Sequence, residues 1–185
     1  MRGEGVVVSE QSLALLSTET EEAMARQIHR NGSPHPALWG LLDAVVDPEI
    51  PALSIWDIGI LQDVSVDSGQ VAVVLTPTHS GYPAMQDNAA TVQRVLNEAG
   101  YSEARVETRL MPSWTTDWLT AGARSRLREE GISPPSANEH FDTAACPQCG
   151  SHHVAMISQH SGTACRAMYR CMSCHEVFDH FKAIR

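Results

Sequence analysis

The sequence predicts an α+β protein in two parts: a small two-layer domain, built as a three-stranded sheet with helices, and a compact cysteine-rich tail. Three observations carry that expectation. Apolar residues recur at helical spacing in two places and alternate at strand spacing in others. A turn tripeptide, Asp67-Ser68-Gly69, separates two strand-like runs. All five cysteines follow residue 145, four of them as two Cys-x-x-Cys pairs.

Residues 1–33 are polar and rich in Ser, Thr and Glu. Leu13, Leu16, Ala23, Met24 and Ile28 are spaced irregularly between Glu10 and Arg30, so this extension is expected to be loosely ordered. Ser33-Pro34-His35-Pro36 breaks the chain and sets a proline at a helix start. Leu38, Leu41, Leu42, Val45 and Val46 then give a one-faced helix, ended by Asp47-Pro48-Glu49-Ile50-Pro51 because the residue before a proline resists the helical region. Ile58 to Val66 reads as a strand and Val71 to Thr76 as its return, a hairpin about Asp67-Ser68-Gly69. Thr76 to Pro83 is a loop. A helix follows, with Met85, Ala89, Val92 and Leu96 as its buried stripe and Gly100 as its stop. Ala104 to Met111 alternates as a third strand, and a third helix covers roughly Asp117 to Glu130, ending at Gly131. The body is therefore 36–131, with helices on one face of the sheet. A linker covers 132–145 and the tail module 146–185. Strand order is not deducible from these patterns.

Composition narrows the function. The chain has 185 residues, 43% apolar, with only four Trp, three Tyr and three Phe, so its core is mainly aliphatic. No apolar run approaches the roughly 18–20 residues that cross a bilayer. The N-terminus suits neither a secretory signal nor a transit peptide, and a cytoplasmic protein is expected. Residues 1–145 carry nine Lys/Arg against twenty Asp/Glu. The tail carries Arg166, Arg170, Lys182 and Arg185 against Glu176 and Asp179. Four thiolates on a divalent ion add about −2, which leaves the tail near neutral. A neutral tail on an acidic body is a poor match to a phosphate backbone, and this disfavours nucleic acid.

An odd, clustered set of cysteines with paired spacing points to metal ligation in a reducing compartment. Cys146-Pro-Gln-Cys149-Gly and Cys171-Met-Ser-Cys174-His are two knuckles, separated by residues 150–170. Four thiolates at about 2.3 Å close a tetrahedral zinc shell with no open position, as in a structural zinc ribbon. Knuckles of this kind also hold mononuclear iron, and four thiolates can hold an iron–sulfur cluster, so the donors alone leave the metal open. Cys165 stands outside the pairs. It is either a small semi-buried thiol or a redox-active or cluster-handling thiol activated by Arg166. With four cysteines present, His152, His153, His160, His175 and His180 are expected on the surface or in packing.

In the body, Thr76, Thr78, His79, Ser80 and Tyr82 crowd a loop before a helix N-terminus, where free N–H groups favour anions. Ser80 is the expected N-cap of that helix. Glu49 and Asp57 sit in the other irregular stretch; Asp57 is either a functional carboxylate or a turn residue before Gly59. No phosphate-binding loop, nucleophile elbow or His-Glu-x-x-His motif is present. A carboxylate/histidine metal pattern such as Glu-x-x-His is also absent from the body. Trp114 and Trp118 are either interface anchors or core residues.

Several long, irregular strings are familiar. Asp47-Pro-Glu-Ile-Pro51, Ser54-Ile-Trp-Asp-Ile-Gly59, Thr76-Pro-Thr-His-Ser-Gly81 and Pro112-Ser-Trp-Thr-Thr-Asp-Trp-Leu119 closely resemble the PaaD-type subunits of phenylacetate degradation systems. So do Arg126-Leu-Arg-Glu-Glu-Gly-Ile-Ser-Pro-Pro135 and the tail from Gly162 to Lys182. The body alone resembles the wider iron–sulfur cluster assembly family. The resemblance implies an accessory protein, not a catalyst. It would assist maturation of the iron–sulfur cluster in the flavin/[2Fe–2S] reductase of the phenylacetyl-CoA epoxidase, with the reductase and other epoxidase subunits as partners and a transient cluster as cargo. A non-catalytic docking subunit is the alternative. One departure matters: the family loop reads Thr-Pro-Thr-x-Ser-Gly-Cys-Pro, and here Tyr82 replaces the cysteine. A phenol with a free pKa of about 10 is a much weaker soft-metal ligand than a thiolate.

Overall fold

The computed structural model describes residues 19–137 and 143–184. The N-terminal extension expected over 1–33 lies outside the described residues as far as residue 18. The rest of it is ordered, contrary to expectation. Helix α1 spans Glu21–Asn31, with the Thr20 hydroxyl accepting from Ala23 N and glutamates in its first turn. Apolar burial does not hold it, since Ala23 is its buried residue. Arg26 does: its guanidinium donates to the carbonyls of Trp118 (2.6 Å), Leu61 (2.9 Å) and Trp56 (3.2 Å). It also lies 4.2 Å over the Trp56 ring. An anchor of this kind leaves no apolar stripe in the sequence.

Helix α2, Pro36–Leu42, buries Leu38, Trp39 and Leu42. It is shorter than its apolar spacing suggested: Val45 N still bonds Leu42 O, but Val46 forms an isolated bridge with Ser54 and is half exposed. Strands β1 (Leu61–Asp67) and β2 (Gln70–Leu75) form the antiparallel hairpin, with Asp67 opposite Gln70. Ser68 (φ 50°) and Gly69 (φ 85°) both take left-handed conformations in its two-residue turn, as a right-twisted hairpin requires. Helix α3 (Met85–Glu98) crosses over to β3 (Arg105–Thr108), which pairs parallel with β2. The sheet order is β1-β2-β3.

The expected third helix is divided. A 3₁₀ turn, Thr116–Trp118, precedes α4, Ala121–Glu129, and Leu119 takes an extended conformation between them. Trp114 and Trp118 are buried, at 5% and 8% exposed. The Trp114 indole donates to Ile58 O at 3.0 Å. Gly59 (φ 85°) lies so close that a Cβ there would meet Trp118 Cβ at 2.8 Å. Both tryptophans are core residues.

Ile132–Ser133, expected in the linker, instead forms β4 and pairs parallel with β7 (Val177–Phe181). With β5 (Val154–Ser158) and β6 (Arg166–Cys171) this completes a second sheet, ordered β4-β7-β6-β5. The tail is seated on the body. Phe181 is wholly buried with the body core, and Ile184 O accepts from Thr116 N (2.9 Å) and Thr115 Oγ1 (2.8 Å). No described helix is long and apolar enough to cross a membrane.

Candidate metal centre and the body loop

The two knuckles are built alike. Gly150 N bonds Cys146 O at 2.8 Å and His175 N bonds Cys171 O at 3.0 Å. Both turns close on a left-handed residue, Gly150 (φ 72°) and His175 (φ 66°). Only the first knuckle uses the residue that adopts this conformation without steric cost. Each pair contributes one buried sulfur, Cys146 and Cys171, and one exposed, Cys149 and Cys174. The buried pair packs with Ala144 and Phe178 in a small satellite core.

The sulfurs converge. Cys146 Sγ lies 3.6 Å from Cys174 Sγ, Cys149 Sγ lies 3.6 Å from Cys171 Sγ, and all four lie within 4.8 Å of one another. Tetrahedral zinc with bonds of about 2.3 Å separates its sulfurs by roughly 3.8 Å, so one ion fits among them. The Cys174 N–H, 3.4 Å from Cys171 Sγ, lowers that thiol, whereas the neighbouring sulfurs raise Cys149 and Cys174, so a divalent ion is what would hold all four as thiolates. Among the described residues no histidine joins the cluster. His152, His153, His160 and His175 are exposed, and His180 is buried against Tyr169 (5.5 Å between rings) with Nδ1 3.1 Å from Ser133 Oγ.

The body loop has a different centre, one that the motifs did not reveal. Asp47 is wholly buried. Its Oδ1 accepts from Glu49 N (3.0 Å) and Ile50 N (3.1 Å), and its Oδ2 accepts from Tyr82 OH (2.7 Å) and Asn88 Nδ2 (2.9 Å). Four donors satisfy a carboxylate that would otherwise be costly to bury. Burial first, and the charge of Asp47 second, push the Tyr82 phenol well above its ordinary range, so it remains neutral and donating. Two signals were available in the sequence: an Asp-Pro-Glu stretch suited to an Asx turn, and Asn88 as a polar residue on the buried face of α3.

Around this centre the structure gathers several of the expected residues. His79 packs edge-on to Tyr82 (5.3 Å between rings) and its Nδ1 lies 3.0 Å from Thr78 Oγ1. Thr76 is buried, and its hydroxyl has no hydrogen-bond partner among the described residues. Burial, then the Asp47 charge, raises the Glu49 carboxyl, while His79 and Arg166 act against the shift. Cys165 arrives from the tail and is buried in the same core cluster as Tyr82, with Sγ 3.0 Å from Thr163 Oγ1. Burial raises its thiol and outweighs both Thr163 and Arg166, so Arg166 does not make it a thiolate. Ser80 is exposed and does not cap α3, whose N-cap is Ala84 without a side-chain bond. Asp57 stands apart: it accepts from Ser54 Oγ (2.6 Å) and Thr120 Oγ1 (2.9 Å) and pairs with Arg126, tying the 54–57 turn to α4.

Comparison with known proteins fits this geometry. Residues 132–182 match the model of the PaaD zinc beta ribbon domain, which begins at β4. Residues 36–107 match the model described as iron–sulfur cluster assembly protein. The chain is 43% identical over 151 residues, 80% of its length and 92% of the relative's, to the D component of the putative 1,2-phenylacetyl-CoA epoxidase of Escherichia coli (strain K12). It belongs to the PaaD family. The family's tail is a zinc ribbon, and the four thiolates here have the number, kind and spacing for that ion. Two solved structures are also similar to part of this PaaD chain. One is a domain of unknown function from Bacillus anthracis (27% identity, TM-score 0.46, covering 57% of this chain and 96% of that one). The other is a conserved hypothetical protein from Thermotoga maritima (21%, 0.44, 51% and 94%).

Proposed function

We propose that this chain is a non-catalytic accessory factor that assists maturation of the iron–sulfur cluster in the flavin/[2Fe–2S] reductase of a phenylacetyl-CoA epoxidase system. The observation that carries the reading is the pairing of two matches: an iron–sulfur cluster assembly body over 36–107, in a chain 43% identical to a putative epoxidase component. The chemistry of the two centres supports it. A closed four-thiolate shell has no position for oxygen or substrate, which suits a structural ion. The Asp47 centre has its hydrogen bonds directed inward, which suits a scaffold. The partners are the reductase and the other epoxidase subunits, and the setting is the cytoplasm, where thiols stay reduced.

A specific observation favours a second reading, a docking subunit without cluster handling. The position where the family pattern has cysteine holds Tyr82, buried and bonded to Asp47, while burial keeps the nearby Cys165 thiol neutral. Neither group is poised to hold iron. Reconstituting apo-reductase with iron and sulfide, in the presence and absence of this protein, tests the proposal. A faster or fuller recovery of the [2Fe–2S] spectrum is expected; an unchanged cluster yield together with stable complex formation would leave only the docking reading.

A further inference from the structure

The ribbon does not lie flush on the body. Between them runs a cleft of about 830 Å³. One wall is formed by residues 49–52 and 130–132, and the other by the sheet face that carries Arg166, Met168, Val177 and Asp179. Its apolar surface comes mainly from Pro51, Ala52, Met168 and Val177, since Ile50 and Ile132 beneath them are only 3% and 9% exposed. Four carboxylates line it, Glu49, Glu130, Glu176 and Asp179, against one cation, Arg166. That cation is already engaged: Nη1 lies 3.5 Å from Asp179 Oδ2, and Nη2 donates to Glu49 O at 2.7 Å. The cleft therefore presents uncompensated negative charge over apolar walls.

The carboxylates are spread out. Among the described residues the four cysteines are the one set of His, Cys, Asp or Glu side chains close enough to share a metal ion. Separated acids along an apolar trough do not suit a single cation. They suit a chain that carries several cations at intervals, with aliphatic side chains between them. Two internal candidates lack that chemistry. The N-terminal residues 1–18 contain Arg2 but also Glu4 and Glu10, and a second copy would bring a formal charge of −9 to a negative cleft.

We propose that the cleft between body and ribbon docks an extended basic segment of a partner polypeptide. Its Lys or Arg side chains meet Glu49, Glu130 and Glu176, and its aliphatic side chains lie on Pro51, Met168 and Val177. This extends the reading above, that the chain acts on a partner protein, and rests on it. The bound segment spans both family-matched units, so docking reads their relative placement. Charge complementarity of this kind sets partner choice and association rate, and it weakens with salt.

The test uses the full zinc-loaded chain and a short fluorescent peptide in which Lys or Arg alternates with Val or Leu. Anisotropy is expected to show saturable binding at low ionic strength, lost when salt screens the rim. Glu130 and Glu176 are both exposed, so the double variant Glu130→Lys/Glu176→Lys should fold with an unchanged melting curve. It should bind at least about tenfold more weakly, while Glu22→Lys/Glu103→Lys, an equal charge change far along the chain, should alter affinity by less than about twofold. Equal losses in the two variants would reduce the effect to overall charge and overturn the proposal. So would the absence of saturable binding, or equal binding of a peptide with Glu in place of Lys and Arg. The assay contains neither cluster nor reductase, so its failure is separate from failure of the reconstitution.

Discussion

Removing the Tyr82 hydroxyl probes the Asp47 centre with little change in shape. Tyr82→Phe keeps the ring against His79 and deletes the donor that lies 2.7 Å from Asp47 Oδ2. Asn88 and two backbone N–H groups remain to a wholly buried carboxylate. A hydrogen bond to a charged group is worth about 1.5–3 kcal/mol, and no compensating water is expected in a tightly packed site. We expect a loss of about 2 kcal/mol, or roughly 4–8 °C in the melting temperature of a chain this size. Urea unfolding followed by tryptophan fluorescence is the assay, since Trp39, Trp56, Trp114 and Trp118 are all buried. The pH dependence has a definite sign. An unfolded tyrosine ionises at about pH 10, whereas folded Tyr82 is held well above that. The group's contribution is fully present below about pH 10 and falls as pH rises beyond it, because only the unfolded chain then loses the proton. A variant within about 0.5 kcal/mol of the parent, with the same alkaline limb, would refute the view that Tyr82 supports Asp47.

Three further outcomes are expected. The purified protein should carry one zinc ion, remain colourless, and give the visible bands of a tetrahedral thiolate site on cobalt substitution. Cys146→Ser or strong chelation should abolish the metal and the amide protection of β5 to β7, whereas iron-type absorbance in the native protein would refute zinc. Arg26→Ala deletes three bonds to carbonyls and a stack on Trp56; a loss of roughly 2–4 kcal/mol with fast hydrogen exchange in α1 is expected, and an unchanged α1 would refute the cation anchor. Thiol titration of the zinc-loaded protein should find Cys165 slow to react at neutral pH, because burial keeps it protonated; a rapid, stoichiometric reaction at Cys165 would overturn that placement.

Local features were legible in the sequence, and features assembled from distant residues were not. The β1–β2 hairpin was legible because Asp67-Ser68-Gly69 and the alternation on either side belong to adjacent residues. The apolar stripe of α3 was legible for the same reason. The metal ligands were the clearest, since paired cysteines at knuckle spacing are a local geometric device. The Asp47 centre was missed because its donors come from residues 49, 50, 82 and 88, and each position alone reads as a turn or helix residue. Ser80 was misplaced for a related reason: a serine before a helix favours capping locally, but the chain stays in turns until Ala84.

The sequence by itself determined the α+β class, the hairpin and the four sulfurs, because periodicity and short-range spacing act between neighbours before any long-range contact forms. Only the tertiary structure decided that α1 is fastened by an arginine to three distant carbonyls and that β3 lies parallel to β2. It also decided that Ile132–Ser133 joins the ribbon sheet and that Cys165 is buried in the body's core cluster. Those outcomes depend on which far-apart groups can satisfy one another's hydrogen bonds and share a buried surface, and one-dimensional patterning does not record that pairing.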